Sequence, residues 1–129
     1  MEIKAIDHIA INTVDINQSV RFYSDVMGFT LLKRVPNGDS ELVYLRVNDN
    51  STIELFNCEK EIKYFEHPEN GSGTLHIALS VSGITEWYEH LQHHNVEFTL
   101  PLCDLSHLGK KVLLFKDPNG VVIELSEDL

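Results

Sequence analysis

The chain states one pattern twice. "DHIAI", Asp7 to Ile11, is echoed by "LHIAL", Leu75 to Leu79, which sets His76 68 residues after His8. "STIELF", Ser51 to Phe56, is echoed by "GVVIELS", Gly120 to Ser126, which sets Glu124 70 residues after Glu54. Two nearly equal offsets imply two copies of one structural unit, a stronger constraint on the fold than any local preference. With 129 residues, 43% of them hydrophobic, the chain suffices for one domain, or for two small halves that share a core.

Each copy predicts the same series of elements. The first opens with an alternating strand from Ile3 to Thr13. A helix follows, capped by Asp15, with Ile16, Val20, Tyr23, Val26 and Met27 at helical spacing and Gly28 as its end. Three strands complete it, Phe29 to Val35, Glu41 to Val47 and Thr52 to Asn57, with "PNGDS" and "NDNS" as turns. The second copy repeats the order. Its strand spans Thr74 to Ser82, and its helix carries Ile84, Trp87, Tyr88 and Leu91 on one face. Its last strands are Val96 to Leu100, Lys111 to Phe115 and Val121 to Ser126, the final two joined by the type I turn "DPNG". "CEKEIKYFEHPENGSG", charged and ending in small residues, reads as a linker. The expected organisation is therefore a unit at 1–57, a linker at 58–73 and a unit at 74–129, together one domain.

Side chains alternate across a strand, so parity gives their facing. Ile9, Ile11 and Thr13 share a face with Asp7, and His8 lies opposite with Ile6, Ala10 and Asn12. In the echo, Leu75, Ile77, Leu79 and Val81 form an aliphatic face, and His76 lies opposite with Thr74, Ala78 and Ser80. Glu54 alternates with Ile53 and Leu55, as Glu124 does with Ile123 and Leu125. The aliphatic faces are expected to pack under the helices, leaving His8, Glu54, His76 and Glu124 to line a cavity.

A single strand histidine is more often structural than a ligand, but four positions duplicated on the non-aliphatic faces shift the balance. Two carboxylates buried together are costly unless a cation or protons neutralise them. Two imidazoles and two carboxylates suit zinc, nickel, cobalt, iron or manganese, with open positions for water or substrate. The bland alternative is a pair of polar pockets facing water.

Other features narrow the class. Twenty acidic against ten basic residues give a formal charge of −10, which disfavours nucleic acid and anionic membrane surfaces as partners. No run approaches the roughly 18 apolar residues of a membrane span, and "MEIKAIDHIAIN" lacks the apolar core of a signal peptide, so a cytoplasmic location is expected. Cys58 and Cys103 stand outside any Cys-x-x-Cys motif and read as free thiols. "LPLCDLSHLGKK", Leu100 to Lys111, reads as a loop with solvated His107, Lys110 and Lys111. His67, His90, His93 and His94 have no duplicate at ligand spacing.

Over almost its whole length the chain resembles the vicinal oxygen chelate superfamily, the glyoxalase/bleomycin resistance/extradiol dioxygenase family, and within it bacterial glyoxalase I. The resemblance runs through the strand with His8, "RFYSDVMGF" from Arg21 to Phe29, the strand with Glu54, "HIALSV" from His76, and "KDPNGVVIEL" ending near Glu124. It implies an α+β fold of tandem βαβββ units, with curved mixed sheets around a cavity that holds a divalent metal on His8, Glu54, His76 and Glu124. It also implies a homodimer.

The implied activity is that of a lactoylglutathione lyase, detoxifying methylglyoxal as its hemithioacetal with a small thiol through an enediolate. Glu124 is the base in this analogy, and Glu54 its mirror partner, able to serve in either direction. Epimerases, extradiol dioxygenases, fosfomycin-resistance enzymes and metal-free bleomycin-resistance-like binding proteins share the fold and remain the alternatives. Glutathione-using glyoxalases carry an arginine four positions after the first histidine, where this chain has Asn12. Their asparagine after the first glutamate is also shifted, since Asn57 follows Glu54 by only three. Another thiol, or another oxygen-chelating substrate, is the expectation.

Overall fold

A computed structural model describes residues 1–57 and 73–129. It divides into two compact units, Met1–Tyr64 and Phe65–Leu129. All of the expected linker except Gly73, and with it Cys58 and His67, lies outside the described residues.

In the first unit β1 (His8–Asn12) leads into α1 (Ile16–Arg21), followed by β2 (Thr30–Asn37), β3 (Ser40–Asn48) and β4 (Ser51–Asn57). The sheet order is β1-β4-β3-β2, with β1 parallel to β4 and the other pairs antiparallel. The second unit holds β5 (Ile77–Ser80), α2 (Ile84–His93), β6 (Phe98–Leu105), β7 (Lys110–Lys116) and β8 (Val122–Asp128). Its order, β5-β8-β7-β6, has the same pattern of strand directions. The fold is thus the α+β tandem of βαβββ units that the repeat predicts, with two mixed four-stranded sheets.

Alternation sorts the side chains. Val43, Leu45, Ile53 and Leu55 are buried in β3 and β4 together with Ile16, Val20, Tyr23 and Met27, and α1 packs against β4. In the second unit Leu113, Phe115, Ile123 and Leu125 are buried with Ile84 and Leu91 of α2, which packs against β7 and β8. Burying each such side chain is worth roughly 1.5–3 kcal/mol, which is what ties each short helix to its sheet.

The helices begin differently. Asp15 caps α1, its Oδ1 accepting the Gln18 amide at 3.0 Å. The helix then widens into a π-helical turn at Phe22–Val26, with the Met27 amide bonded to the Phe22 carbonyl at 3.0 Å. Gly28 ends it with φ 73°, and the Phe29 amide reaches back to the Tyr23 carbonyl at 2.8 Å. A Cβ at Gly28 would meet nothing within 4 Å, so the left-handed dihedral alone calls for glycine here. In α2 the capping position is Gly83, which has no side chain. Glu127 of β8 substitutes, accepting from the Gly83 and Ile84 amides at 2.7 and 3.3 Å.

Three expectations are corrected. β1 starts at His8, not Ile3, because its sheet partner β4 runs out: His8 lies opposite Thr52, near the first residue of β4. For the same reason β5 starts at Ile77, opposite Ile123 in β8, and not at Thr74. The expected loop from Leu100 to Lys111 is largely a hairpin, since β6 continues to Leu105 and only a 3₁₀ turn, Ser106–Leu108, separates it from Lys110. Pro101 and register shifts on both sides of Leu100 break the alternation there and hide the strand. Pro36 and Pro101 both sit in the outermost strand of their sheet, where proline is tolerated. Among the described residues no helix is long and apolar enough to cross a membrane.

Candidate functional site

Strand register places the duplicated residues. In the first sheet a row of directly opposed residues runs Ala10, Glu54, Tyr44, Lys33 across β1, β4, β3 and β2. Opposed residues share a face, and His8, two residues before Ala10, shares it too. Glu54 is 7% exposed, an uncommon setting for a carboxylate. Tyr44 stands directly opposite it on β3, and the Lys33 ammonium lies 4.7 Å from the centre of the Tyr44 ring.

His8 is exposed, and its Nδ1 lies 2.7 Å from Asp7 Oδ2. That bond raises the His8 pKa, burial opposes it, and the charges of Glu54 and Asp7 add to it. An imidazole that donates Nδ1–H to a carboxylate keeps the Nε2 lone pair for a metal, the arrangement typical of histidine ligands.

The second sheet runs Ala78, Glu124, Leu114, Leu100 in the same row. His76 lies just before β5, its Nε2 3.1 Å from Glu124 Oε2. Glu124 is half-buried, and exposed Leu75 occupies the place that corresponds to Asp7. Each unit therefore offers one imidazole and one carboxylate, a donor chemistry that fits zinc, nickel, cobalt, iron or manganese. Neither pair has a third ligand of its own, since among the described residues no group of three or more His, Cys, Asp or Glu side chains is gathered for a metal ion.

The other expected residues fall elsewhere. Lys110 pairs with Asp128, and Lys111 Nζ lies 3.8 Å from Asp104 Oδ1. The His93 ring nitrogen Nδ1 lies 2.7 Å from the Glu89 carbonyl, and the His90 and His94 rings lie edge to face at 4.7 Å. His107 lies in the 3₁₀ turn. Cys103 is a free thiol in β6. Asn12 and Asn57 close β1 and β4.

Sequence reasoning missed Asp7, Tyr44 and Lys33. Tyr44 was open to it, since it alternates with Val43 and Leu45. Lys33 was not, because a register shift between Leu31 and Lys33 resets the count along β2.

Residues 5–125 match the model of the Glyoxalase/Bleomycin resistance protein/Dioxygenase superfamily. The protein YaeR of Escherichia coli (strain K12) is 35% identical over 127 residues, covering 97% of this chain and 97% of its own. A probable lactoylglutathione lyase of Synechocystis sp. is 28% identical over 123 residues, 92% of this chain and 91% of that one. Among solved structures, the glyoxalase family protein from Enterococcus faecalis aligns with a TM-score of 0.81 at 28% identity, covering 96% of this chain and 98% of that one.

Proposed function

Because the chain belongs to the Glyoxalase/Bleomycin resistance protein/Dioxygenase superfamily, we propose that it is a metal-dependent lyase of glyoxalase I type. Its substrate on this reading is the hemithioacetal of a 2-oxoaldehyde, methylglyoxal with a small thiol, and its role is methylglyoxal detoxification in the cytoplasm. The observation that carries the reading is the duplicated pair: His76 Nε2 against Glu124 Oε2 at 3.1 Å, and His8 on the same sheet face as Glu54.

On this proposal the two pairs serve one divalent ion, held by His8, Glu54, His76 and Glu124. The ion, when bound, supplies Lewis-acid polarisation of two adjacent substrate oxygens. The chain's own residues do the rest. Asp7 orients His8 through Nδ1. Glu124, half-buried and therefore within a substrate's reach, takes a proton from one carbon and returns it to its neighbour. Asn12, at the position where glutathione users carry arginine, directs the search to thiols other than glutathione. The proposal includes a homodimer whose sites combine residues of both chains.

Purified protein should carry about one divalent ion per chain, lost with chelator and restored by nickel or cobalt. Methylglyoxal assayed with several thiols should turn over with at least one of them, and Glu124→Gln should abolish turnover while leaving the circular dichroism spectrum unchanged. Metal-bound protein inert towards every thiol would remove the lyase, and metal-free protein that still retains a ligand would favour sequestration. A shared site has its own signature: mixing His8→Ala/Glu54→Gln chains with His76→Ala/Glu124→Gln chains restores metal binding that neither possesses alone.

A further inference from the structure

Two neighbouring rows of the first sheet each carry a cation as well as a residue of the proposed quartet. Beside the row Ala10, Glu54, Tyr44, Lys33 runs the row His8, Thr52, Arg46, Thr30, on the same face. Lys33 stands two strands from Glu54, and Arg46 two strands from His8. At about 4.8 Å per strand, each cation is anchored about 10 Å across the face from its quartet residue. Both cations are exposed, and neither is paired with a carboxylate among the described residues. Acidic residues outnumber basic ones 20 to 10, and Arg34, Lys110, Lys111 and Lys116 each hold a carboxylate, so these two are left free on the face of the site. The second sheet offers no such pair. Leu100 stands in the place of Lys33, and Lys116, the counterpart of Arg46, is bound to Glu97 at 2.9 Å.

We propose that Lys33 and Arg46 are specificity-determining residues that bind an anionic group, a carboxylate or a phosphate, at the end of the substrate remote from His8 and Glu54. The inference rests on the reading of this face as the substrate site and deepens it by naming a substrate class. The Arg46 guanidinium presents a fork of N–H donors that matches two oxygens of such a group. The Lys33 ammonium lies over the Tyr44 ring, which restrains it and leaves its other protons for an acceptor. A chain of net charge −10 repels anions at long range, so two uncompensated cations on one face select where an anion docks. A neutral thiol gives them nothing to hold, and a thiol with a charged arm is preferred.

Succinate and inorganic phosphate, titrated into the metal-free protein at low salt and at a mildly alkaline pH where imidazole carries little charge, test this without turnover. The tighter of the two names the group. The amide NMR signals of Thr30, Lys33, Tyr44 and Arg46 should shift and saturate. Lys33→Gln and Arg46→Gln should each weaken that binding about 2–5-fold, the size of an exposed ion pair. Arg21→Gln, which removes the same charge from α1, should leave it unchanged. Absence of saturable shifts at these residues, or equal weakening by Arg21→Gln, would overturn the anion site whatever the protein catalyses. In the methylglyoxal assay the kcat/KM preference for mercaptopropionate over mercaptoethanol should fall about 4–25-fold in Lys33→Gln/Arg46→Gln, and an unchanged preference would overturn the specificity role. Metal-bound protein inert towards every thiol would remove the lyase reading, with the succinate and phosphate titrations still deciding the anion site.

Discussion

In the first unit a carboxylate at the middle of the sheet is flanked by a tyrosine and the adjacent helix is capped by its own aspartate. In the second, the same carboxylate position is flanked by leucine, and the helix borrows its cap from a strand 44 residues away in sequence. Topology and strand order are equal in the two, and the rows through the glutamates match, Ala10 opposite Glu54 and Ala78 opposite Glu124. A duplicated fold therefore fixes where side chains stand and which way they face. It leaves open what each one touches, and that is where the halves have diverged.

The equality is tested first in the cores. Leu45 opposes Ile53 as Phe115 opposes Ile123, and Leu45 and Phe115 are both fully buried. Leu45→Ala should cost about 2–5 kcal/mol and Phe115→Ala about 3–5 kcal/mol, read by urea unfolding. Two separated transitions in either variant would show that the units unfold independently and break the equivalence.

Caps give the next largest difference. Glu127→Ala strands two backbone amides and should cost about 1–3 kcal/mol, whereas Asp15→Ala removes one bond and should cost about 0.5–2 kcal/mol. Equal losses would mean that the borrowed cap is no stronger than the local one.

The smallest effect concerns Asp7, which has no polar counterpart at Leu75. Its hydrogen bond raises the His8 pKa above the ordinary value of about 6.5. A raised pKa means that the folded state holds the proton more tightly. The resulting stability is complete below the unfolded value and is lost as pH rises through the folded one. In the metal-free protein Asp7→Asn should move the His8 titration to lower pH, followed by NMR, and flatten that part of the stability profile. An unmoved His8 would assign the shift to another group.

Much of this was legible in the sequence, because periodicity and repetition are themselves the physical causes of the fold. Alternation put Ile11, Ile53 and Leu55 in the core and His8 and Glu54 on the other face, and the echo carried the assignment to Ile123 and Glu124. What escaped depends on register or on distant contacts. The π-helical turn at Phe22–Val26 has no spacing of its own in a helical pattern. Lys33 reaches the row of Glu54 only through a bulge. The contact between Asp7 and His8, placed on opposite faces by parity, arises because Asp7 precedes β1 and alternation does not govern it.

Pro36 and Pro101 carry a consequence for how copies of this chain meet. Each interrupts the rim of its sheet with a residue that has no backbone proton to offer, so a newcomer laid along β2 or β6 finds a gap in the ladder. The opposite rims, β1 and β5, are only five and four residues long. Templated growth of backbone upon backbone, the route to fibres, is discouraged at all four borders, and encounters between molecules are steered to surfaces made of side chains.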